Sequence, residues 1–199
     1  MPGDLTSAIA GPTREDLDRF RRGDPEVAEL LARRACRLAL RTSAAILRDR
    51  EAATDVAQDV AVDVLRTLDR LRDPAAFDAW VHRITVRHTM RLVGRRSRAR
   101  NAEQPLAQLG EGDHPPAAER ETQLFTRQAL AGALAELPPK QQIALALRYV
   151  HDLPDAEIAA ALGCRTGTVH ALLSRGRAAL RRAPQLAEFA PEVALGGLR

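Results

Sequence analysis

An all-α fold in two small helical domains is what this sequence predicts, and three observations predict it. Apolar residues recur at helical i, i+3, i+4 spacing, with no run of strand-like alternation. Aromatic residues make up only 3% of the chain, so any core must be built from Leu, Val, Ile and Ala; Ala, Leu and Arg are all strong helix formers. A stretch rich in Pro, Gly and acids over 101–119 interrupts the helical pattern and reads as a flexible acidic linker. At 199 residues the chain has room for one domain or two small ones.

Residues 1–14 are rich in Gly, Pro, Ser and Thr and are expected to form a loose tail. Helical material runs from Leu17 to about Leu47, with a break at Gly23-Asp24-Pro25 where Asp24 can cap and Pro25 suits the first helical position. Val27, Leu30, Leu31, Leu38 and Ile46 then recur at helical spacing. Over 51–72, Val56, Val60 and Val64 fall at i+4 intervals, and Leu68 and Leu71 extend the stripe inward. Beside them Glu51, Asp55, Asp59 and Asp63 form an acidic i+4 row. Like charges so placed repel by a few tenths of a kcal/mol per pair, so the row makes sense if something basic binds there. Taken alone, it reads as a solvated helix face, because charge runs usually serve solubility.

Asp73-Pro74 restarts the helix, and Phe77, Trp80, Val81 and Ile84 give it an apolar side on which Trp80 is expected to be a core residue. The polarity then inverts. Val81–Arg100 carries Arg83, Arg87, Arg91, Arg95, Arg96, Arg98 and Arg100 and no acid. Such a run is an electrostatic footprint for nucleic acid. The alternative is a basic surface that salt-bridges to the acidic helix before it. The first domain thus spans 15–100.

The second domain is expected over 120–182, followed by a weakly ordered tail at 183–199. Leu124–Leu137 is helical in pattern, Pro138-Pro139 ends it, and Lys140–Val150 forms the next helix with Ile143, Leu145, Leu147 and Val150 inward. Leu153-Pro154-Asp155 leads into two short helices. Ile158 and Leu162 share one face, Gly163 supplies the stop, and a second helix beginning near Thr166–Thr168 turns Val169, Leu172, Leu173 and Leu180 inward. Small Ala159 suits a helix crossing. This is the helix-turn-helix pattern. Arg175, Arg177, Arg181 and Arg182 decorate its second helix, with no acid between Cys164 and Arg182. An apolar back and an arginine-bearing front suit a major groove and its phosphates; an αα-hairpin with a solvated basic face is the plainer alternative.

The composition also bounds the function. Lys140 is the only lysine, so arginine supplies nearly all the positive charge behind a net +4, as codon bias would also produce. Cys36 and Cys164 stand apart, which argues against zinc and against a disulfide framework, and Cys164 is expected to be a small buried residue. No cofactor or metal site is expected. There is no GxxxxGK[ST], no GxSxG and no clustered carboxylate–His group, so the chain is not expected to be an enzyme. With no signal-peptide pattern and no apolar run of membrane-spanning length, a soluble cytoplasmic protein without membrane insertion is expected.

The segment LAELPPKQQIALALRYVHDLPDAEIAAALGCRTGTVHALLSRGRAALRR resembles the C-terminal DNA-binding domain, a winged-helix-like domain 4, of bacterial RNA polymerase sigma factors of the extracytoplasmic-function type, in the sigma-70 superfamily. DREAATDVAQDV followed by DPAAFDAWVHRI resembles the N-terminal domain 2 of the same family, and the resemblance covers roughly 25–182. It implies a sigma factor that directs promoter-specific initiation; a stand-alone helix-turn-helix regulator is the alternative. Asp55, Gln58, Asp59 and Asp63 would dock on the clamp helices of the largest subunit of core polymerase. Arg83, Arg87, Arg91, Arg95 and Arg96 would meet the -10 element, and the linker would thread the polymerase's basic channel. Arg165, Thr166, Thr168, His170, Ser174, Arg175 and Arg177 would meet the -35 element. Promoter DNA and an anti-sigma factor complete the implied partners. Arg165 and Thr166 stand where the family commonly has Ser and an acid, and His170, Ala171 and Leu172 stand where it has a basic residue, Ser and Arg. Ala and Leu cannot donate to base edges, so direct readout shifts to Arg165, His170, Ser174 and Arg175. Arg87 replaces an Asn that helps capture an unstacked -10 base, and Ala61 and Leu65 replace aromatic residues.

Overall fold

The computed structural model describes residues 11–100 and 128–189, and among these every regular element is helical. The chain divides into two compact units. The expected linker over 101–119 and the expected start of the second domain at 120 lie outside the described residues, as do 1–10 and 190–199.

The first unit is built from α1 (Arg14–Arg21), α2 (Pro25–Leu47), α3 (Arg50–Thr67) and α4 (Phe77–Arg100). Helix α1 starts three residues before the expected Leu17 because Thr13 forms a capping box. Its hydroxyl accepts from Asp16 N at 3.1 Å, and Asp16 Oδ2 accepts from Thr13 N at 2.8 Å. Asp24 caps α2 at Glu26 N and Val27 N and also accepts from Arg19 Nε at 2.8 Å. That arginine is the main reason its carboxyl lies below the usual range.

Helices α2 and α3 approach closely because the residues between them are small. Ala35, Ala39, Ala53 and Ala57 are all fully buried. Ser43 reinforces the seam, its hydroxyl meeting Ala39 O at 2.7 Å and Ala53 O across the interface at 3.1 Å. Val56, Val60 and Val64 face the core with Leu68, Leu71, Phe77 and Val81. Trp80 packs against this cluster, edge-on to Phe77 with ring centroids 6.3 Å apart. Arg34 of α2 grips Asp78 in the first turn of α4 through two parallel contacts of 2.7 and 2.6 Å. A bidentate fork of this kind fixes orientation as well as adding energy.

The later part of the chain contains α5 (128–135), α6 (Pro139–His151), α7 (Asp155–Leu162) and α8 (Thr166–Arg181), then a 3₁₀ turn at Pro184–Phe189. Gly163 takes φ +63°, and Cys164 N reaches back to Ala159 O at 3.0 Å, which closes α7 and starts the turn. Val169 and Leu173 of α8 are buried, while Leu172 and Leu180 are only half-buried. Ile158 and Ala159 of α7 are also buried. A Cβ on buried Gly176 of α8 would come within 3.0 Å of Leu145 Cδ1 on α6. Of the tail expected over 183–199, residues 183–189 are described, and there Gln185 Nε2 donates to Glu136 Oε1 at 2.7 Å. No strand stands beside these helices among the described residues.

Candidate nucleic-acid interface

Arg83, Arg87, Arg91 and Arg95 are spaced by four along α4, and all four side chains are exposed. Residues at that interval form one ridge of a helix, so the four guanidinium groups make a continuous line. Arg96 does not join it. Its Nη2 donates to Asp49 Oδ2 at 2.7 Å, and Asp49 is the N-cap of α3, accepting from Ala52 N at 3.0 Å. The cap bond first and Arg96 second hold the Asp49 carboxyl below its ordinary range. Arg87 is exposed but has a carboxylate at its side, Asp63 Oδ2 lying 3.5 Å from its Nη2. The plainer expectation, a basic face bridged to the acidic helix, therefore holds for Arg87 and Arg96.

On α3, Glu51, Asp55, Gln58 and Asp59 are exposed. Asp63 departs from that row. Its Oδ2 lies 2.8 Å from Nε2 of half-buried His88 on α4. Asp59 Oδ2 lies 4.0 Å from Nδ1 of the same ring. Spacing along one helix could not show this, because the partner belongs to another helix.

On α8, Arg165, Thr166, Thr168, His170, Ser174 and Arg175 are exposed and Arg177 is half-buried. Helical geometry sets Thr168 and Arg175 on one edge of the outer face and Thr166, His170, Ser174 and Arg177 on the other. His170 is not free-standing: its Nε2 lies 3.0 Å from Asp155 Oδ2 at the start of α7. Arg148 of α6 pairs with the same carboxylate. Asp155 and Arg148 had no signal in the sequence beyond the Pro154-Asp155 start of a helix. Cys164, in the turn, is half-buried. Among the described residues no three His, Cys, Asp or Glu side chains converge as a metal site, and no helix is long and apolar enough to cross a membrane.

The family model for Sigma-70 region 2 matches residues 27–99, and that for Sigma-70, region 4 matches 127–180. The sigma factor SigM of Mycobacterium tuberculosis, of the extracytoplasmic-function type, is 33% identical over 160 residues, covering 80% of this chain and 78% of its own length.

The chain belongs to the sigma-70 family of RNA polymerase sigma factors.

Other relatives are similar over much of the chain. SigE of Mycolicibacterium smegmatis is 32% identical over 78% of this chain, which spans 59% of that relative. The sigma-H factor of Pseudomonas aeruginosa is 28% identical over 85% of this chain and 92% of its own length. Two solved structures share the fold. The sigma factor RpoE of Bartonella quintana, crystallised with the anti-sigma factor NepR, has a TM-score of 0.62 at 19% identity, covering 77% of this chain and 93% of that one. CnrH, solved with the cytosolic domain of CnrY, has a TM-score of 0.61 at 20% identity, covering 92% and 98%. In this sigma factor, region 2 coincides with α2–α4 and their two oppositely charged sides, and region 4 with α5–α8 and the arginine-bearing α8.

Proposed function

We propose that this chain directs promoter-specific transcription initiation by joining core RNA polymerase through α3 and promoter DNA through α4 and α8. The observation that carries the proposal is the charge arrangement of the first unit. An exposed acidic side on α3 and an exposed arginine line on α4 occur on neighbouring helices, and DNA alone would use only the second. Asp55, Gln58 and Asp59 are the proposed polymerase contacts, on the clamp helices of the largest subunit. Arg83, Arg87, Arg91 and Arg95 are proposed for the -10 element, and Arg165, Thr166, Thr168, Ser174 and Arg175 for the -35 element. His170 acts there through its Asp155 pairing, while Arg96 serves chiefly to hold α3. The two functional domains are proposed over 15–100 and 120–182.

An anti-sigma factor is a further proposed partner, supported by the shared fold of RpoE, which was crystallised with the anti-sigma factor NepR. The proposed setting is cytoplasmic, where core polymerase resides, and the proposed role is regulatory, with no catalysis by the chain itself. A stand-alone regulator is not favoured, because the region 2 match at 27–99 supplies a domain that such a protein does not need. Reconstitution with core polymerase tests the proposal. Purified chain plus core should give specific transcripts from a genomic fragment library, and a library without any specific start would overturn it.

A further inference from the structure

Asp63 stands in register with Asp55 and Asp59 on α3, yet its carboxylate turns towards α4. One oxygen, Oδ2, lies 2.8 Å from His88 Nε2 and 3.5 Å from Arg87 Nη2. The Asp63 side chain is 34% exposed, against 73% for Asp59. A carboxylate already engaged by two neighbours offers little to a basic protein surface. Asp63 is therefore poorly placed for the polymerase contact that its position in the row suggests.

Its effect falls instead on Arg87. Among the described residues the arginines of α4 with a carboxylate partner are Arg87 and Arg96, so Arg83, Arg91 and Arg95 on the same ridge make no comparable ion pair. A guanidinium with a carboxylate at its side is a weak phosphate clamp, since the carboxylate repels the phosphate and already neutralises the charge. The same carboxylate limits the rotamers of the arginine and leaves further N–H donors of its fork unused. Those donors suit a neutral acceptor on a base edge.

We propose that Asp63 is a positioning residue for promoter DNA: anchored by His88, it makes Arg87 a base reader within a line of phosphate-binding arginines. The proposal rests on the assignment of α4 to promoter DNA made above.

The test uses holoenzyme assembled from core polymerase and the full chain. Three quantities are measured: affinity for core, affinity for an oligo(dT) single strand, and base enrichment from a single-stranded pool with a short randomised stretch. Asp63→Asn should leave core affinity within about twofold and raise oligo(dT) affinity about two- to threefold, as expected for removing one screened like charge near a phosphate. Enrichment at one position should fall about five- to tenfold, the scale of one lost base contact. In the double variant Asp63→Asn/Arg87→Ala, selectivity should be no worse than in Arg87→Ala alone. A loss of core affinity overturns the proposal, as does an unchanged or lower oligo(dT) affinity, or a selectivity loss that adds to that of Arg87→Ala. If Asp63→Asn lowers the melting temperature too far to assay, Asp63→Ser provides the same readouts. Two controls check the underlying assignment: Asp55→Lys must weaken core binding, and Arg91→Ala must weaken oligo(dT) binding. If either control is silent, that assignment falls and the proposal falls with it.

Discussion

His82 lies on the inner side of α4 with 1% of its surface exposed, and burial pushes its imidazole down to about 4. In the unfolded chain a histidine titrates near 6.5. Above that value neither state holds the proton, and the stability is fully present. As the pH falls from 6.5 towards 4 the unfolded state takes up the proton first, so stability is progressively lost, by about 3 kcal/mol in all. Asp24 and Asp49 have depressed carboxyls, so their contribution fades only below the ordinary carboxylate range. The interval between the two belongs to His82. Urea unfolding from pH 7 to 4.5 should show a steep loss in the natural chain and a much shallower one in His82→Gln. A flat natural profile would contradict the burial argument. Gly176 makes a second prediction at this scale. Leu145 is itself buried and cannot swing clear, so Gly176→Val should destabilise the second unit by about 2–3 kcal/mol. Gly176→Ala should lie nearer neutral, because a gain of about 1 kcal/mol in helix propensity offsets the tight contact. Thermal unfolding of the pair separates overpacking from propensity.

Among the elements, α3 and α4 show most clearly what the sequence revealed and what it hid. The Val56–Val60–Val64 stripe and the spacing of Arg83, Arg87, Arg91 and Arg95 are periodic within single helices, so they could be read directly. The roles of Asp49, Asp63 and His88 depend on which helix packs on which, and no local period encodes that. The same reason explains Gly176. As a mid-helix glycine it carried no turn signal, and its meaning comes from Leu145 on another helix. Thr13 was legible in principle, since Thr-x-x-Asp is a capping-box arrangement, but the Gly/Pro-rich residues before it masked the helix start. Asp49 now makes a prediction of its own. Asp49→Ala removes the N-cap of α3, which should cost about 1 kcal/mol of stability by denaturant titration. It should also release Arg96 to the basic face, strengthening non-specific DNA binding. On the exposed ridge, Arg91→Ala should reduce the slope of log affinity against log salt by about 1, with little change in base preference.

For the whole molecule, the distinctive property is a separation of charge between neighbouring helices of one unit. Charge reversal at Asp55 and Asp59 should abolish association with core polymerase while leaving duplex binding by the region 4 unit intact. A pull-down and a gel-shift assay on the same protein read the two effects. Loss of both together would mean that the variant had unfolded or that the two faces are not separate. The buried contact between α2 and α3 carries a different consequence. Ala35, Ala39, Ala53 and Ala57 are fully buried there, and a close-packed interior feels even one added methyl group. The two helices must therefore be inherited, or transplanted, as a matched pair. A chimaera that borrows its acidic helix from a relative with a bulkier inner face would fail at that join, whatever its outer charges were.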